Sequence, residues 1–404
     1  MNIPKRKKNF IHMSLLFLFI AAFISGCGSE LKSLPIPVGE DFREDEQDKE
    51  VKEPEVLLSA EDFDETDLLN GIPIIGSREE VDGKYQSYLT GEWKDVSVAK
   101  RRAFGVMVPN NKPALPQYGI SKASVIFEAP LEGRVTRLLV VVEDYDDLDR
   151  IGPTRSARDY FIYEAMGKEA IFCNWGLTVV YCSQIINSDR VDNVSQPLQG
   201  IEVSAEEAFK RVSRPGYSTD QTGYMVIDGY MKAVTRLGYN PNYSANFTPQ
   251  FVFAAPNTRA EYVDLPDATI LRPGGTSNNS SGYGQSKPYF EYNESNRLYY
   301  RFQYGGKHID EMNNEQLAYT NVIYQYTYGE VRDPNDYLAF QMHDEGKPVK
   351  IFTNGKVIEG TWKRFKDGEP ARYFDNDGYE IVLNQGKTWI CLIWEEYSEH
   401  AEYE

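Results

Sequence analysis

Apolar and polar positions divide the chain into stretches of different period. Met13 to Ile24 is uncharged, and Lys5, Arg6, Lys7 and Lys8 stand before it. At about a dozen residues the run is shorter than the roughly 20 needed to span a bilayer, so it reads as the h-region of a signal peptide, residues 1–26. Further on come short β-branched runs, Phe104 to Val108, Ser124 to Glu128 and Leu138 to Val142, which predict buried strands. Helical spacing follows. Thr154 caps a predicted helix to Lys168, Ser204-Ala205-Glu206-Glu207 is a capping box, and Ile227, Tyr230, Met231 and Val234 share a stripe of a helix over 223–237.

After Gly238-Tyr239-Asn240-Pro241 the helical period fades. Aromatic and β-branched strands are predicted at Leu298 to Gln303, Asn321 to Tyr326, Val349 to Phe352, Val357 to Trp362 and Thr388 to Ile393. Asn354-Gly355 predicts a tight hairpin and Asp375-Asn376-Asp377-Gly378 a second turn, while Pro273 to Ser286 reads as a long loop. The expected fold class is α+β / α/β: an N-terminal mixed α/β domain over 87–240, then a mostly antiparallel β domain over 241–404.

Composition changes this picture mainly near the amino terminus. Net charge is −18, and Glu40 to Asp67 holds 14 acids against three bases. Acidic, proline-bearing and poor in aromatics, residues 27–86 predict a disordered, extended tether. Ile24-Ser25-Gly26-Cys27 resembles the lipobox of bacterial lipoproteins, making Cys27 the lipidation site, palmitate-type acyl chains the anchor and the membrane a partner on the extracytoplasmic face. An acidic surface argues against nucleic acid. Cys173, Cys182 and Cys391 lie in apolar contexts without metal-ligand spacing, so no metal or cofactor is expected; a Cys173–Cys182 bond stays open.

The densest local chemistry is Gly152-Pro153-Thr154-Arg155-Ser156-Ala157-Arg158, at a predicted strand-to-helix junction. Helix N-termini attract anions, and Arg155 and Arg158 would share a helical face, with Arg134 and Arg137 feeding the same region. Thr154, Ser156 and Asn110 would add donors, and Glu128 would line the cleft. The alternative is a structural network in which these arginines pair with Glu128, Glu132 or Asp159. Glu128 and Glu132 could also be an acid/base pair, but spacing does not fix their separation. No HExxH and no GxSxG occurs, and His308-Ile309-Asp310 reads as an exposed turn; no catalytic residue is assigned. Of 28 tyrosines, 18 follow Leu237, as core and edge packing or as a contact surface for glycans or peptides.

Val106-Met107-Val108-Pro109-Asn110, Ala114-Leu115-Pro116-Gln117, Phe127 to Gly133, Thr136-Arg137 and Gly152 to Arg158 resemble the YerB-type lipoproteins, a Gram-positive family of unassigned function. Thr353-Asn354-Gly355, Gly360-Thr361-Trp362 and Asn384-Gln385-Gly386-Lys387-Thr388-Trp389-Ile390 resemble its C-terminal part. The resemblance implies a two-domain lipoprotein and supplies no established activity. The expected function is a tethered envelope protein binding an anionic wall-related ligand through the arginines. The alternatives are an envelope enzyme acting on lipid-linked phosphate precursors and a scaffold that regulates a wall synthase.

Overall fold

The computed structural model describes Ser59, Glu61 and residues 63–404. The expected signal peptide, Cys27 and the first part of the expected tether lie outside the described residues. The rest of the tether is corrected. Leu68–Leu69 pairs with Ile72–Pro73, Ile74 bridges Ala254, and the Ile75 amide donates to the Phe253 carbonyl. Leu69, Ile72, Ile74 and Ile75 pack on the body, so this apolar run can offset its ordering entropy.

Ten strands form the main sheet: β1 (Phe104–Pro109), β2 (Val125–Leu131), β3 (Val135–Val142), β4 (Ile171–Asn174), β5 (Asn193–Ser195), β6 (Asn321–Thr327), β7 (Asp344–Thr353), β8 (Lys356–Arg364), β9 (Arg372–Asp375) and β10 (Thr388–Trp394). Their order is β5-β4-β1-β3-β2-β10-β6-β7-β8-β9. β10 runs parallel to both β2 and β6, so it joins the two halves of the sequence into one sheet within one compact unit, Pro54–Glu404. Every residue of β1, β2, β6 and β10 is buried, as largely apolar runs require of strands covered on both faces.

Alternation then divides the core. Met107, Phe127, Leu139 and Ile390 point to one face, against α1 (Asp159–Met166) and α2 (Val179–Ile186). Val106, Ile126, Val140 and Trp389 point to the other, against α3 (Ile227–Leu237) and a six-stranded sheet carrying Leu271, Phe290 and Tyr299. Each such fully buried side chain contributes roughly 1.5–3 kcal/mol.

Three helix expectations are corrected. The helix expected from Thr154 begins only at Asp159, because the amides of Thr154, Arg155 and Ala157 are already bonded to the carbonyls of Gly223, Met107 and Gly176. The Ser204 capping box yields only the single turn Glu206–Ala208, after which Phe209–Arg211 pairs with Gly223–Val226. That pairing also takes the first residues of the helix expected over 223–237. Asn354 and Gly355 turn β7 into β8 with φ of 52° and 73°, as the sequence predicts. Cys173, Cys182 and Cys391 are free and buried; Cys173 and Cys182 belong to opposite faces of the sheet.

Candidate functional site

The β2–β3 hairpin turns through Glu132-Gly133-Arg134, with Gly133 and Arg134 at φ of 78° and 60°. That geometry carries Arg134 out to solvent, away from the other arginines. Arg137, three residues on, faces the helices and donates from Nη1 to the Ser156 carbonyl at 2.6 Å. It has no carboxylate within ion-pair distance among the described residues, and its Nε is buried without a partner. Burial, then the neighbouring Arg158 and Arg155, push its pKa below the ordinary value, with Glu132 opposing.

Its neighbours are better served. Arg158 is gripped by the Glu132 carboxylate, donates to the Ala157 carbonyl at 2.8 Å and lies 5.2 Å from the Tyr337 ring centre. Arg155 reaches the exposed Asp220 at 3.5 Å. The Thr154 hydroxyl is 3.3 Å from the Gly223 carbonyl, and that of Ser156 is 3.4 Å from the Trp175 carbonyl, so neither is an uncommitted donor. Asp159 opens α1 and is held by Arg332 at 2.8 and 3.2 Å, which places a carboxylate where an anion at the helix terminus would sit.

Asn110 and Glu128 are on the opposite face of the sheet and do not join the arginines, because their strand positions have the parity of Val108 and Ile126. Glu128 has no solvent exposure. Its carboxylate accepts from Asn110 at 2.9 Å, Thr136 at 2.6 Å, Arg301 at 2.7 Å and the Trp389 indole at 3.0 Å. Glu132, bound to Arg158 beyond the end of β2, is not its partner. Arg301 is sandwiched 4.6 and 4.5 Å from the Phe290 and Trp389 rings.

This buried network extends through Gln303, which the sequence did not single out, and through Gln117 and His308, which it read in other roles. Gln117 bonds the Pro109 carbonyl and Asn110, Gln303 bonds Asn110, and Gln117 meets His308 at 2.9 Å. The expected exposed turn at His308 is therefore corrected: His308 and Asp310 are 2% and 0% exposed. Asp310 accepts from the amides of Gly119, Ser121 and Met312, which ties the turn down. Burial, reinforced by Arg301, keeps His308 neutral, with its pKa well below the ordinary value.

The arrangement is that of an α+β protein with a buried ionic centre between its sheets and an arginine cluster beside its helices. Residues 89–238 match the family model described as Protein of unknown function (DUF3048) N-terminal domain, and residues 280–390 match the C-terminal domain of the same description. A Bacillus subtilis (strain 168) protein named "Putative lipoprotein YerB" is 26% identical over 312 residues, 77% of this chain and 86% of that protein. The crystal structure of YerB protein from Bacillus subtilis shares the fold with a TM-score of 0.65 at 24% identity, covering 79% of this chain and 99% of that one. The chain belongs to the YerB-type lipoprotein family. Among the described residues no helix is long and apolar enough to cross a membrane.

Proposed function

We propose that this is a membrane-tethered envelope lipoprotein, anchored through lipid on Cys27, that binds an anionic wall-related ligand at Arg137. The observation carrying this reading is the Arg137 guanidinium, partly buried, without a carboxylate partner among the described residues, and flanked by Arg155 and Arg158. Arg158 is neutralised by Glu132, so Arg137 is the ligand's main contact, and Arg155 is the second cation, weakly held by an exposed acid. Their position supports the reading. Pro109, Leu131 and Asn174 end the parallel strands β1, β2 and β4 at this edge. The chain continues from β1 to β2 and β3 on one side and to β4 and β5 on the other. Open α/β sheets bind ligands at such a reversal, outside the strand carboxyl ends.

The test is calorimetric titration of the full chain in detergent with inorganic pyrophosphate, for the native sequence and for Arg137→Met. Binding that disappears in the variant supports the reading. Equal binding by both, or none by the native chain, overturns it.

A further inference from the structure

The motif Asn384-Gln385-Gly386-Lys387 builds a wall at the other end of the sheet, next to the first residue of β10. Two adjoining cavities, of about 270 and 320 Å³, open there and share Glu92, Leu298 and Thr320 as lining. Gln385 and Asn384 line the second, Gly386 and Lys387 the first.

Each residue of the motif has a building role. Asn384 clamps both backbone groups of Ala260, accepting from its amide at 3.0 Å and donating to its carbonyl at 3.1 Å. Gln385 donates to the Ala254 carbonyl at 2.9 Å. The loop between these points carries Asn257 and Arg259, and the two amides hold it at both ends. Gly386 has φ of +132°, and a Cβ there would come 2.0 Å from Thr320 Oγ1, so the two walls close to a distance only glycine allows. Lys387 crosses to the opposite wall, where Nζ donates to the Ser121 carbonyl at 2.6 Å.

The cleft so built has an unbalanced charge pattern. Arg259 makes no hydrogen bond or ion pair among the described residues, and its Nε is buried and unpartnered. Lys387 has no carboxylate within ion-pair distance among the described residues; burial pushes its pKa down. Glu92 and Glu315 are exposed at the rim, beside the exposed amides of Asn257 and Asn296. Amides and carboxylates around a polar trough recognise hydroxyl groups, both donating and accepting. The free guanidinium calls for a carboxylate, which it takes as a bidentate pair.

We infer that this cleft binds an acidic saccharide, its hydroxyls on the rim amides and carboxylates and its carboxylate on Arg259. The site is separate from Arg137, which lies at the strand ends opposite. Asn384 acts as a positioning residue for the Arg259 loop.

The experiment titrates the full chain in detergent with a hyaluronan tetrasaccharide, neutral chitotetraose and inorganic phosphate, following heat and ligand saturation-transfer NMR. The acidic tetrasaccharide binds at least tenfold more tightly than chitotetraose. Arg259→Met, at a partly exposed position with no partner to lose among the described residues, weakens it at least tenfold without lowering the melting temperature, and Arg137→Met leaves it unchanged. Equal binding of chitotetraose, full displacement by phosphate at matched concentration, undiminished binding by Arg259→Met, or no binding by the native chain overturns the inference. Loss of pyrophosphate binding at Arg137 with retention of the saccharide separates this site from the function proposed above.

Discussion

Glu128 and Arg301 meet at 2.7 Å with neither side chain in contact with solvent, and they pin the six-stranded sheet to the middle of the ten-stranded one. Removing one partner of a buried pair leaves the other charge uncompensated, at a cost of roughly 3–5 kcal/mol. Arg301→Met should lower the unfolding free energy from urea denaturation by that much, and the double variant Glu128→Gln, Arg301→Met should recover part of the loss. Additive losses would show that the pair is not coupled.

Glu164 supplies the pH dependence. Burial alone would raise its pKa, but Lys168 and Arg364, the latter at 2.5 Å, overcome burial and hold it at about 2. A carboxyl depressed in the folded state adds stability at pH values above its unfolded pKa. That stability, on the order of 2–3 kcal/mol, is lost as pH falls from the usual carboxylate range through about 2. Denaturation at a series of acidic pH values should therefore show a steeper loss for the native chain than for Glu164→Gln, which starts lower because two cations lose their counter-charge.

Arg137→Met should stabilise the protein. It removes a desolvated cation with one carbonyl partner, a gain of roughly 1 kcal/mol, or about 2 °C in a chain of this size. Added pyrophosphate should raise the melting temperature of the native chain and leave that of the variant where it is. Differential scanning calorimetry with and without the anion measures both.

The three buried thiols should be silent to an aromatic disulfide reagent in the folded protein and react once it is unfolded in guanidinium. Burial pushes all three pKa values up, and the sheet stands between Cys173 and Cys182. Reductant should leave the melting temperature unchanged. A reductant-sensitive transition would refute the free-thiol assignment.

Gly355→Ala should cost roughly 1–3 kcal/mol, because its φ is +73° and a Cβ would stand 2.7 Å from Tyr292 Cε1. Chemical denaturation reads this directly.

Strand positions were legible where β-branched and aromatic residues cluster: β1, β2, β6 and β10 lie where such runs predicted them. Helix starts were not, since competition for the amides of residues 154–157 comes from Met107, Gly176 and Gly223, distant in sequence. The arginine motif was visible as composition, but its division was hidden. Counting parity along β1 and β2 would have placed Asn110 and Glu128 on the face away from Arg137. Arg301 had a readable signal too, since Tyr299, Arg301 and Gln303 alternate inward along one strand. The predicted cleft joined residues that the sheet itself separates.

The parallel seat of β10 between β2 and β6 means that the sheet's last strand in sequence closes its middle. Phe127 has Ile390 as its lateral neighbour, and Ile390 has Ile323 on its other side. A growing chain thus exposes an unfilled slot at its centre until residues near 390 have been made. Truncation between β9 and β10 removes a keystone and leaves two bare strand edges that invite pairing between chains.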